Sequence, residues 1–285
     1  MAQIAYINGR YVPRADATVR VEDRGYMFGD GVYEAIAVHD GRLVAADRHF
    51  ERLGRSLGEL RIAWPMPRAA LEVVVREVMA RNTLRNGGIY IQVTRGVAPR
   101  DHKFPKDAVP SLLVIAKRSK PAPAALLRDG AAIITRPDLR WGRCDIKSLN
   151  LLPNVLAKQA AAEQNAHETW LIDAAGNVTE GSSTSAWIVT EGGALATRPN
   201  GVEILPGVTR AIVVDVAREL GLTLELRAFS LAEAHRAREA FLTSTNNQVL
   251  PITRIDGKPV GDGRPGPMAL RLRAAFLEAT GRPVS

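Results

Sequence analysis

Two hairpin signals in the first third of the chain constrain its fold more than any other feature. Asn8-Gly9 separates two short runs with strand character, residues 4–7 and 10–12, and Asp40-Gly41 separates residues 32–38 from residues 43–46 in the same way. An Asn-Gly or Asp-Gly pair between two such runs is the strongest short-range signal for an antiparallel hairpin. With further strands expected at residues 89–95 and 112–117, the sequence predicts an antiparallel sheet in this part of the chain.

Two amphipathic helices are predicted between these strands. Asp47 can cap the first helix, and Pro67 can open the second. His49 and Arg52 lie three residues apart and off the apolar stripe of the first helix, so they share another face of it. The apolar positions recur at helical spacing: Phe50, Leu53, Leu57 and Leu60 in the first helix, and Leu71, Val74, Val75 and Val78 in the second.

The sequence of the second half of the chain predicts a mixture of strands and helices. Strands are expected near residues 131–135, 169–173, 177–179, 186–189 and 241–245, and helices near 153–165, 209–220 and 268–279. Alternating prolines at residues 120–125 favour an extended tether. We therefore expect an α+β domain at residues 1–119, a linker at 120–125, and a mixed α/β domain at 126–285 that carries Lys147. A crevice between two such domains is the natural place for a ligand.

The composition argues against several classes of function. The formal charge is +8, but the arginines are interleaved with glutamates and aromatic residues are only 5% of the chain, so a nucleic-acid-binding role is not expected. The single cysteine, Cys144, excludes an internal disulfide and suits a reducing compartment. No apolar run approaches the roughly 20 residues of a membrane span, and no signal-peptide pattern is present. We expect a cytoplasmic protein with no membrane contact and no metal site.

Lys147 is the residue with the clearest chemical potential. Only seven of the 38 basic residues are lysines, and this one follows the apolar residues 131–135 and precedes a helix rich in Leu and Ala. Apolar surroundings can lower the pKa of a fully buried lysine by about 3–5 units. A neutral amine can form a Schiff base with an aldehyde, which arginine cannot do. An ordinary lysine at the end of a strand, with its amine in solvent, is an equally compatible interpretation of this segment alone.

Several other groups could join Lys147 at a cofactor. Glu180, in the segment 177–183 beside a glycine and two serines, could keep a pyridine nitrogen protonated, although a solvent-exposed hairpin glutamate is the simpler interpretation. Val208 and Thr209 follow Gly207 at a helix start, where free N–H groups can bind a phosphate or Thr209 can merely cap the helix. Ser244 and Thr245 offer hydroxyls for the same purpose, and Arg52 offers a planar guanidinium.

A second set of residues could bind a substrate carboxylate. Arg100 and His102 lie in an irregular, turn-rich segment, residues 96–105, and together could form a two-donor clamp. Tyr33 begins a predicted strand, where its phenol could donate a hydrogen bond to the substrate. An exposed loop and a packing tyrosine are the alternative interpretations.

Taken together, these segments resemble the fold-type IV pyridoxal-phosphate aminotransferases, and within them the D-amino acid aminotransferases. The resemblance runs from Tyr6 almost to the C-terminus. It is carried by R-G-Y-M-F-G-D-G-V-Y-E (24–34), Q-V-T-R-G (92–96), P-R-D-H-K-F-P (99–105), R-W-G-R-C-D-I-K-S-L-N-L-L (140–152), V-L-A-K-Q (155–159) and V-T-E-G-S-S (178–183).

The resemblance implies pyridoxal 5′-phosphate as cofactor and a role for each candidate residue. Lys147 corresponds to the lysine that binds the cofactor as a Schiff base and moves the proton, and Glu180 to the partner of the pyridine nitrogen. The residues that correspond to the phosphate site are Arg52, Val208, Thr209, Ser244 and Thr245, and Leu205 corresponds to the residue packed on the ring. Tyr33, His49, Arg100 and His102 correspond to positions around the substrate. In the family the last two come from the neighbouring subunit, so a homodimer with shared active sites is implied.

The implied reaction is transamination of a D-amino acid such as D-alanine with 2-oxoglutarate or pyruvate. Two rival enzymes share the scaffold, a branched-chain L-aminotransferase and 4-amino-4-deoxychorismate lyase, and the pair Arg100 and His102 argues against both. A basic binding module without chemistry is a further alternative. Two positions depart from the family pattern around the cofactor: Ser185 stands where members commonly carry Asn, and the polar run at residues 246–248 matches no family motif.

Overall fold

The computed structural model describes residues 3–118 and 124–283. Contacts divide the described residues into two compact units, one drawn from Met1–Lys120 with Ile146–Asn150 and one from Pro121–Asp145 with Leu151–Ser285. Residues 120–123 of the predicted linker lie outside the described part, so that boundary stays a prediction. One difference from the predicted division concerns Lys147, whose segment groups with the first unit rather than the second. The reason is backbone pairing, because Tyr33 N donates to Lys147 O at 2.9 Å and Leu149 N to Gly31 O at 3.0 Å.

The first unit is built on a six-stranded antiparallel sheet, as the hairpin signals predicted. Its strands are β1 (Ile4–Ile7), β2 (Arg10–Pro13), β3 (Gly31–His39), β4 (Arg42–Leu43), β5 (Gly87–Thr94) and β6 (Ser111–Arg118). They are ordered β2-β1-β6-β5-β3-β4. Both predicted hairpins are confirmed by the β1–β2 and β3–β4 pairings. Strand β4 is shorter than expected because a helix begins at Ala46.

The described part of this unit contains three α-helices: α1 (Arg24–Phe28), α2 (Ala46–Glu59) and α3 (Arg68–Arg81). The predicted stripes are confirmed, since Phe50, Leu53 and Leu57 of α2 and the four predicted residues of α3 are buried in one core. The predicted cap of α2 by Asp47 is wrong. The N-cap is Ala45 in a left-handed conformation with φ of 51°, and Asp47 instead pairs with Arg68.

The second unit contains a nine-stranded mixed sheet ordered β12-β11-β10-β13-β14-β7-β8-β9, with β15 paired to β14. The strands are β7 (Ala131–Pro137), β8 (Glu168–Ile172), β9 (Val178–Gly181), β10 (Ser185–Val189), β11 (Leu195–Thr197), β12 (Leu224–Leu226), β13 (Glu239–Ser244), β14 (Gln248–Ile255) and β15 (Lys258–Pro259). The helices are α4 (Ala124–Asp129), α5 (Leu152–Glu163), α6 (Val208–Glu219), α7 (Leu231–Arg236) and α8 (Pro267–Ala279). In the described residues no helix is both long and apolar enough to cross a bilayer.

Strand β14 is the main element that the sequence did not predict. It follows a short turn after β13 and contains Pro251, a residue that normally argues against a central strand because it lacks an N–H. Its parallel pairing with β7 begins only at Ile252, one residue later. The missing N–H of Pro251 therefore costs no hydrogen bond to β7.

Candidate functional site

Lys147 lies against the aromatic face of Tyr33 in the first unit. The Lys147 amine is 4.2 Å from the centroid of the Tyr33 ring. The side chain is half-buried, which lies between the two interpretations that the sequence left open. Its backbone N–H donates to the Ser56 hydroxyl at 3.3 Å, and Ser56 is fully buried on α2. Strand β3 and helix α2 together fix the backbone from which the amine extends.

Tyr33 belongs to a row of polar side chains on β3 and β5. Its ring stacks on Tyr90 with 5.6 Å between the ring centroids. The Tyr90 hydroxyl donates to Gln92 Oε1 at 2.8 Å, and Gln92 is the direct cross-strand partner of Tyr33. Burial, and secondarily the neighbouring Tyr33, raise the pKa of Tyr90 to about 12, so its phenol stays protonated and remains a donor. Neither Tyr90 nor Gln92 was predicted from the sequence to belong to the site.

Arg52 and His49 both bind a third residue, Glu34, which was not predicted from the sequence to belong to the site. Arg52 binds Glu34 through Nε to Oε1 at 2.7 Å and through Nη2 to Oε2 at 2.9 Å, and His49 Nδ1 lies 2.7 Å from Oε2. The Glu34 side chain is fully buried. A sequence signal existed, because Val32, Glu34 and Ile36 alternate along one face of β3 and a carboxylate interrupts that apolar face.

The charge states of this cluster follow from burial and from its hydrogen bonds. Burial alone would raise the pKa of Glu34, but Arg52 and His49 together lower it to about 2. Burial lowers the pKa of His49 below its ordinary value, although Glu34 opposes that effect. The imidazole is then neutral near pH 7 and donates its Nδ1 proton to Glu34. The predicted neighbours His49 and Arg52 do share one face of α2, held there by a buried carboxylate.

Arg100 and His102 both pack against Phe28 at the end of α1. The Arg100 guanidinium is 5.2 Å from the centroid of the Phe28 ring, and the His102 ring centroid is 5.4 Å from it. Both side chains are exposed. Among the residues that the structure describes, Arg100 forms no ion pair. The two predicted clamp residues thus lie beside one aromatic ring with their polar groups accessible.

In the second unit, Glu180 belongs to a network of ion-paired side chains. It lies on β9 and forms an ion pair with Arg140, and Leu205 N donates to both of its oxygens at 3.2 Å. Arg140 also binds Asp138, and Thr179 Oγ1 donates to Asp138 Oδ2 at 2.7 Å. A solvated hairpin glutamate, the simpler interpretation of the sequence, is therefore wrong: Glu180 is 6% exposed. Arg140 was not singled out from the sequence.

Val208 and Thr209 form the first turn of α6, as predicted. The N-cap is Gly207 in an extended conformation, and no side chain caps the helix. An ideal Cβ at Gly207 would lie 2.8 Å from the Ser185 hydroxyl and 3.3 Å from Cβ of Arg210. A side chain at position 207 would therefore have to displace the Ser185 hydroxyl. The backbone N–H groups of a first helical turn have no acceptor within the helix.

Ser244 and Thr245 lie where β13 turns into β14. The Ser244 hydroxyl accepts from Asn247 N at 3.1 Å, and both side chains are half-buried. The polar run at residues 246–248, which has no counterpart in the family motifs, makes up most of this turn. Gln248 begins β14 with a φ of 59°. Within the described ranges, no group of His, Cys, Asp and Glu side chains is arranged to hold a metal ion.

Comparison with known proteins defines the class to which this chain belongs. The sequence model of the aminotransferase class IV family matches residues 31–255. The chain belongs to this family.

Individual proteins of this family are similar to the chain over nearly its whole length. D-alanine aminotransferase of Staphylococcus haemolyticus is 41% identical over 271 residues, which are 95% of each chain. The corresponding enzyme of Bacillus licheniformis is 41% identical over 94% of each chain. Among solved structures, the branched-chain amino acid aminotransferase of a T.th. strain with pyridoxamine 5′-phosphate superposes with a TM-score of 0.90 at 29% identity, covering 99% of this chain and 96% of that one. The Escherichia coli branched-chain enzyme also gives 0.90, at 25% identity over 98% and 95% of the two chains.

Proposed function

We propose that this protein is a pyridoxal-phosphate-dependent aminotransferase that transfers the amino group of D-amino acids such as D-alanine to a 2-oxo acid, 2-oxoglutarate or pyruvate. The observation that carries the proposal is similarity over nearly the whole chain to D-alanine aminotransferases, at 41% identity over 95% of each sequence. Exposed Arg100 and His102 side by side on Phe28 support it, because they offer a carboxylate two donors.

The residues present fit this cofactor. Helix α6 begins at an uncapped glycine, so its first-turn N–H groups have no side-chain acceptor and could donate to a phosphate. Val208, Thr209, Ser244 and Thr245 would bind the phosphate there. Arg52, whose guanidinium orientation Glu34 sets, would contribute positive charge. Leu205 would pack against the ring, and its N–H already fixes Glu180.

Lys147 and Glu180 would act at the two reactive ends of the cofactor. Lys147 would hold the cofactor aldehyde through its amine and move the proton of the substrate α-carbon. Glu180, which forms a buried ion pair with Arg140, would hold a proton on the pyridine nitrogen. When bound, the cofactor supplies an electron sink for charge at the α-carbon. Transfer of the proton by a positioned amine contributes about 10²–10⁴-fold to such reactions.

The substrate would be oriented by Tyr33, Arg100 and His102. His49 would act on it indirectly, because its ring is buried and bonded to Glu34. Arg100 and His102 would fix the carboxylate, and Tyr33 would place its phenol beside Lys147, whose amine it already contacts. A fixed carboxylate presents the α-hydrogen of only one enantiomer to the lysine. The same residues therefore determine both affinity and stereochemistry.

We further propose that the protein acts in the cytoplasm as a homodimer in which each subunit provides Arg100 and His102 to the active site of the other. Exposed apolar side chains on α5 support an association surface: Leu152, Val155 and Leu156 are 69%, 58% and 62% exposed. Three such residues on one helical face are costly to leave in water. A second copy of this chain would cover them.

A branched-chain L-aminotransferase is the second candidate, favoured by the TM-score of 0.90 to two such enzymes. An assay with D-alanine, L-alanine, L-leucine and aminodeoxychorismate separates this candidate and the lyase from the D-specific enzyme. Turnover of D-alanine alone is expected. Preferential turnover of L-leucine would instead assign the branched-chain activity.

The cofactor proposal is tested by borohydride reduction of the purified protein followed by peptide mass mapping. The peptide that contains Lys147 should gain the mass of the reduced cofactor, and Lys147→Ala should lose both this label and turnover. Lys258→Ala, which changes an exposed lysine on β15, should retain both. An unlabelled Lys147 peptide in coloured, active protein would remove Lys147 from its assigned role. A colourless wild-type protein whose ligand binding is unchanged by Lys147→Ala would instead indicate a binding module.

A further inference from the structure

Arg24 is a buried arginine whose contacts end on the loop that carries Arg100 and His102. We call residues 96–105 the clamp loop. The Arg24 side chain is 4% exposed. Its Nη1 donates to the carbonyl of Asp101 at 2.5 Å, and its Nη2 donates to the carbonyl of His102 at 3.5 Å. Asp101 lies between Arg100 and His102, the two residues assigned to the substrate carboxylate, so Arg24 binds the backbone beside one of them and that of the other.

We propose that Arg24 is a positioning residue that holds the clamp loop in the conformation needed to bind a substrate carboxylate. The proposal rests on the proposed function, because it gives Arg24 a role only through Arg100 and His102. Arg24 itself does not reach the substrate in this scheme. Its guanidinium fixes two consecutive peptide groups, so the side chains that leave them have defined starting directions.

Asp30 keeps Arg24 in place and shares it with a second buried arginine. Arg24 Nε donates to Asp30 Oδ2 at 2.7 Å, while Arg95 donates to Oδ2 through Nε at 2.8 Å and to Oδ1 through Nη2 at 3.0 Å. Burial would raise the pKa of Asp30, but hydrogen bonds from Arg95 and Arg24 lower it below its ordinary value. One carboxylate thus orients two guanidinium groups with planar, directional contacts.

Arg95 anchors the far end of the same loop. Its guanidinium lies 3.6 Å from the centroid of the Phe104 ring. Its Nη1 donates to the carbonyl of Arg61 at 3.1 Å and its Nη2 to that of Leu60 at 2.8 Å, at the end of α2. Arg24 therefore fixes the middle of the clamp loop, and Arg95 fixes Phe104 near its end.

The start of the clamp loop is fastened by backbone contacts around α1. Arg24 N donates to Gly96 O at 2.9 Å, and Ala98 N donates to Glu22 O at 3.2 Å. Gly25 packs so closely on Thr94 that a Cβ there would lie 2.2 Å from Cγ2. Phe28, at the end of the same helix, supports the side chains of Arg100 and His102 and lies 4.8 Å from the Arg24 guanidinium. A loop fixed in this way loses little conformational entropy when it binds a ligand.

The experiment compares Arg24→Gln with Arg20→Gln, which changes an exposed arginine in the segment that precedes α1. Hydrogen exchange of peptides covering residues 99–104 is measured in the holoprotein without substrate, together with KM and kcat for D-alanine and the cofactor absorbance spectrum. Arg24→Gln should speed exchange in the clamp loop and raise KM by roughly tenfold or more, with a smaller change in kcat and an unchanged spectrum. Arg20→Gln should change none of these.

A double-mutant cycle separates positioning from general damage. If Arg24 acts through Arg100, Arg24→Gln adds little to the KM of an Arg100→Ala protein, whereas independent effects multiply. Independent effects, or unchanged loop exchange in Arg24→Gln, would overturn the proposal. Arg24→Lys, which keeps the charge, replaces Arg24→Gln if the latter does not fold. A wild-type protein without D-amino acid turnover would refute the proposed function instead, and the exchange measurement would still decide whether Arg24 fixes the loop.

Discussion

Arg140 and Glu180 form an ion pair that is almost fully enclosed, with side chains that are 4% and 8% exposed. Arg140 also binds Asp138 through Nε at 2.9 Å and Nη2 at 2.7 Å, so two carboxylates share one guanidinium. Burial alone would lower the pKa of Arg140, but Asp138 and Glu180 together raise it above its ordinary value. Arg140 therefore remains charged, and the electrostatic state of Glu180 depends on it.

The first prediction is that Arg140→Met strongly destabilises the protein. The substitution leaves two buried carboxylates close together without their cation, and breaking a buried pair in this way costs about 3–5 kcal/mol. The thermal unfolding temperature should fall by several degrees or more. The ratio of bound cofactor to protein after dialysis should fall as well, because Arg140 no longer holds the Glu180 carboxylate in position for the pyridine nitrogen.

Arg128→Met is the matched control. Arg128 pairs with Asp129, but their side chains are 72% and 57% exposed, and such surface pairs contribute little. Calorimetry should show no measurable change for this variant. Equal unfolding temperatures for the two variants would mean that the Arg140 network does not stabilise the fold.

The Arg140–Glu180 pair is a contact that could not be predicted from the sequence alone. Its members are 40 residues apart, and Arg52 and Glu34 are 18 apart, so neither pair leaves a periodic signal. What the sequence did predict is local: the hairpins at Asn8 and Asp40, the apolar stripes of α2 and α3, and the helix start at Val208. Each of these follows from turn chemistry or from spacing within one element.

Segment 146–150 illustrates the same limit at the level of the backbone. The sequence placed Lys147 with the residues that follow it, because chain neighbours usually share a domain. Hydrogen bonds with Tyr33 and Gly31, more than 100 residues earlier, place it with the first unit instead. Only the resemblance to a family connected Lys147 with Tyr33, and no pattern of hydrophobicity could have done so.

The second prediction concerns the start of α6. Gly207→Ala should weaken binding of pyridoxal phosphate by roughly threefold to tenfold, equivalent to about 1 kcal/mol. The backbone of Gly207, with φ of −65° and ψ of 128°, suits alanine, so the effect is steric and arises from the 2.8 Å approach to the Ser185 hydroxyl. Titration of apoprotein with the cofactor, followed by absorbance, measures the change.

Two further variants make this prediction specific. Gly142→Ala adds the same methyl group where nothing lies within 4 Å, and its affinity should match that of the wild type. Adding Ser185→Ala to Gly207→Ala removes the obstructing oxygen and should restore at least part of the lost affinity. If Ser185→Ala restores no cofactor affinity to the Gly207→Ala protein, collision with the Ser185 hydroxyl is not the cause of the weaker binding.

The third prediction is that Glu34 makes stability depend on pH in the acid range. Its pKa is about 2 in the folded protein and ordinarily 4.5, so its contribution is complete above about pH 4.5 and is lost as the pH falls towards 2. The difference corresponds to on the order of 3 kcal/mol. The free energy of unfolding of wild type should therefore exceed that of Glu34→Gln at pH 5, and the gap should narrow steadily towards pH 2.

Urea denaturation at several pH values measures this gap. The comparison is repeated with His49→Gln present in both proteins, which removes titration of the imidazole that lies 2.7 Å from Glu34. A gap that stays constant from pH 5 to pH 2 would contradict the assigned ionisation of Glu34.

The fourth prediction addresses the exposed apolar face of α5. Leu156→Glu places a charge among Leu152 and Val155, which are 69% and 58% exposed, and a charge buried in an interface without a partner is costly. The variant should elute as a monomer in size-exclusion chromatography with light scattering, and D-alanine turnover should fall with it, because a monomer lacks the Arg100 and His102 of a second subunit.

The control is Val73→Glu on α3, a 61% exposed valine whose replacement should leave mass and activity unchanged. A Leu156→Glu protein that stays dimeric and active would place the subunit contact elsewhere, whereas an active monomer would show that each chain supplies its own clamp.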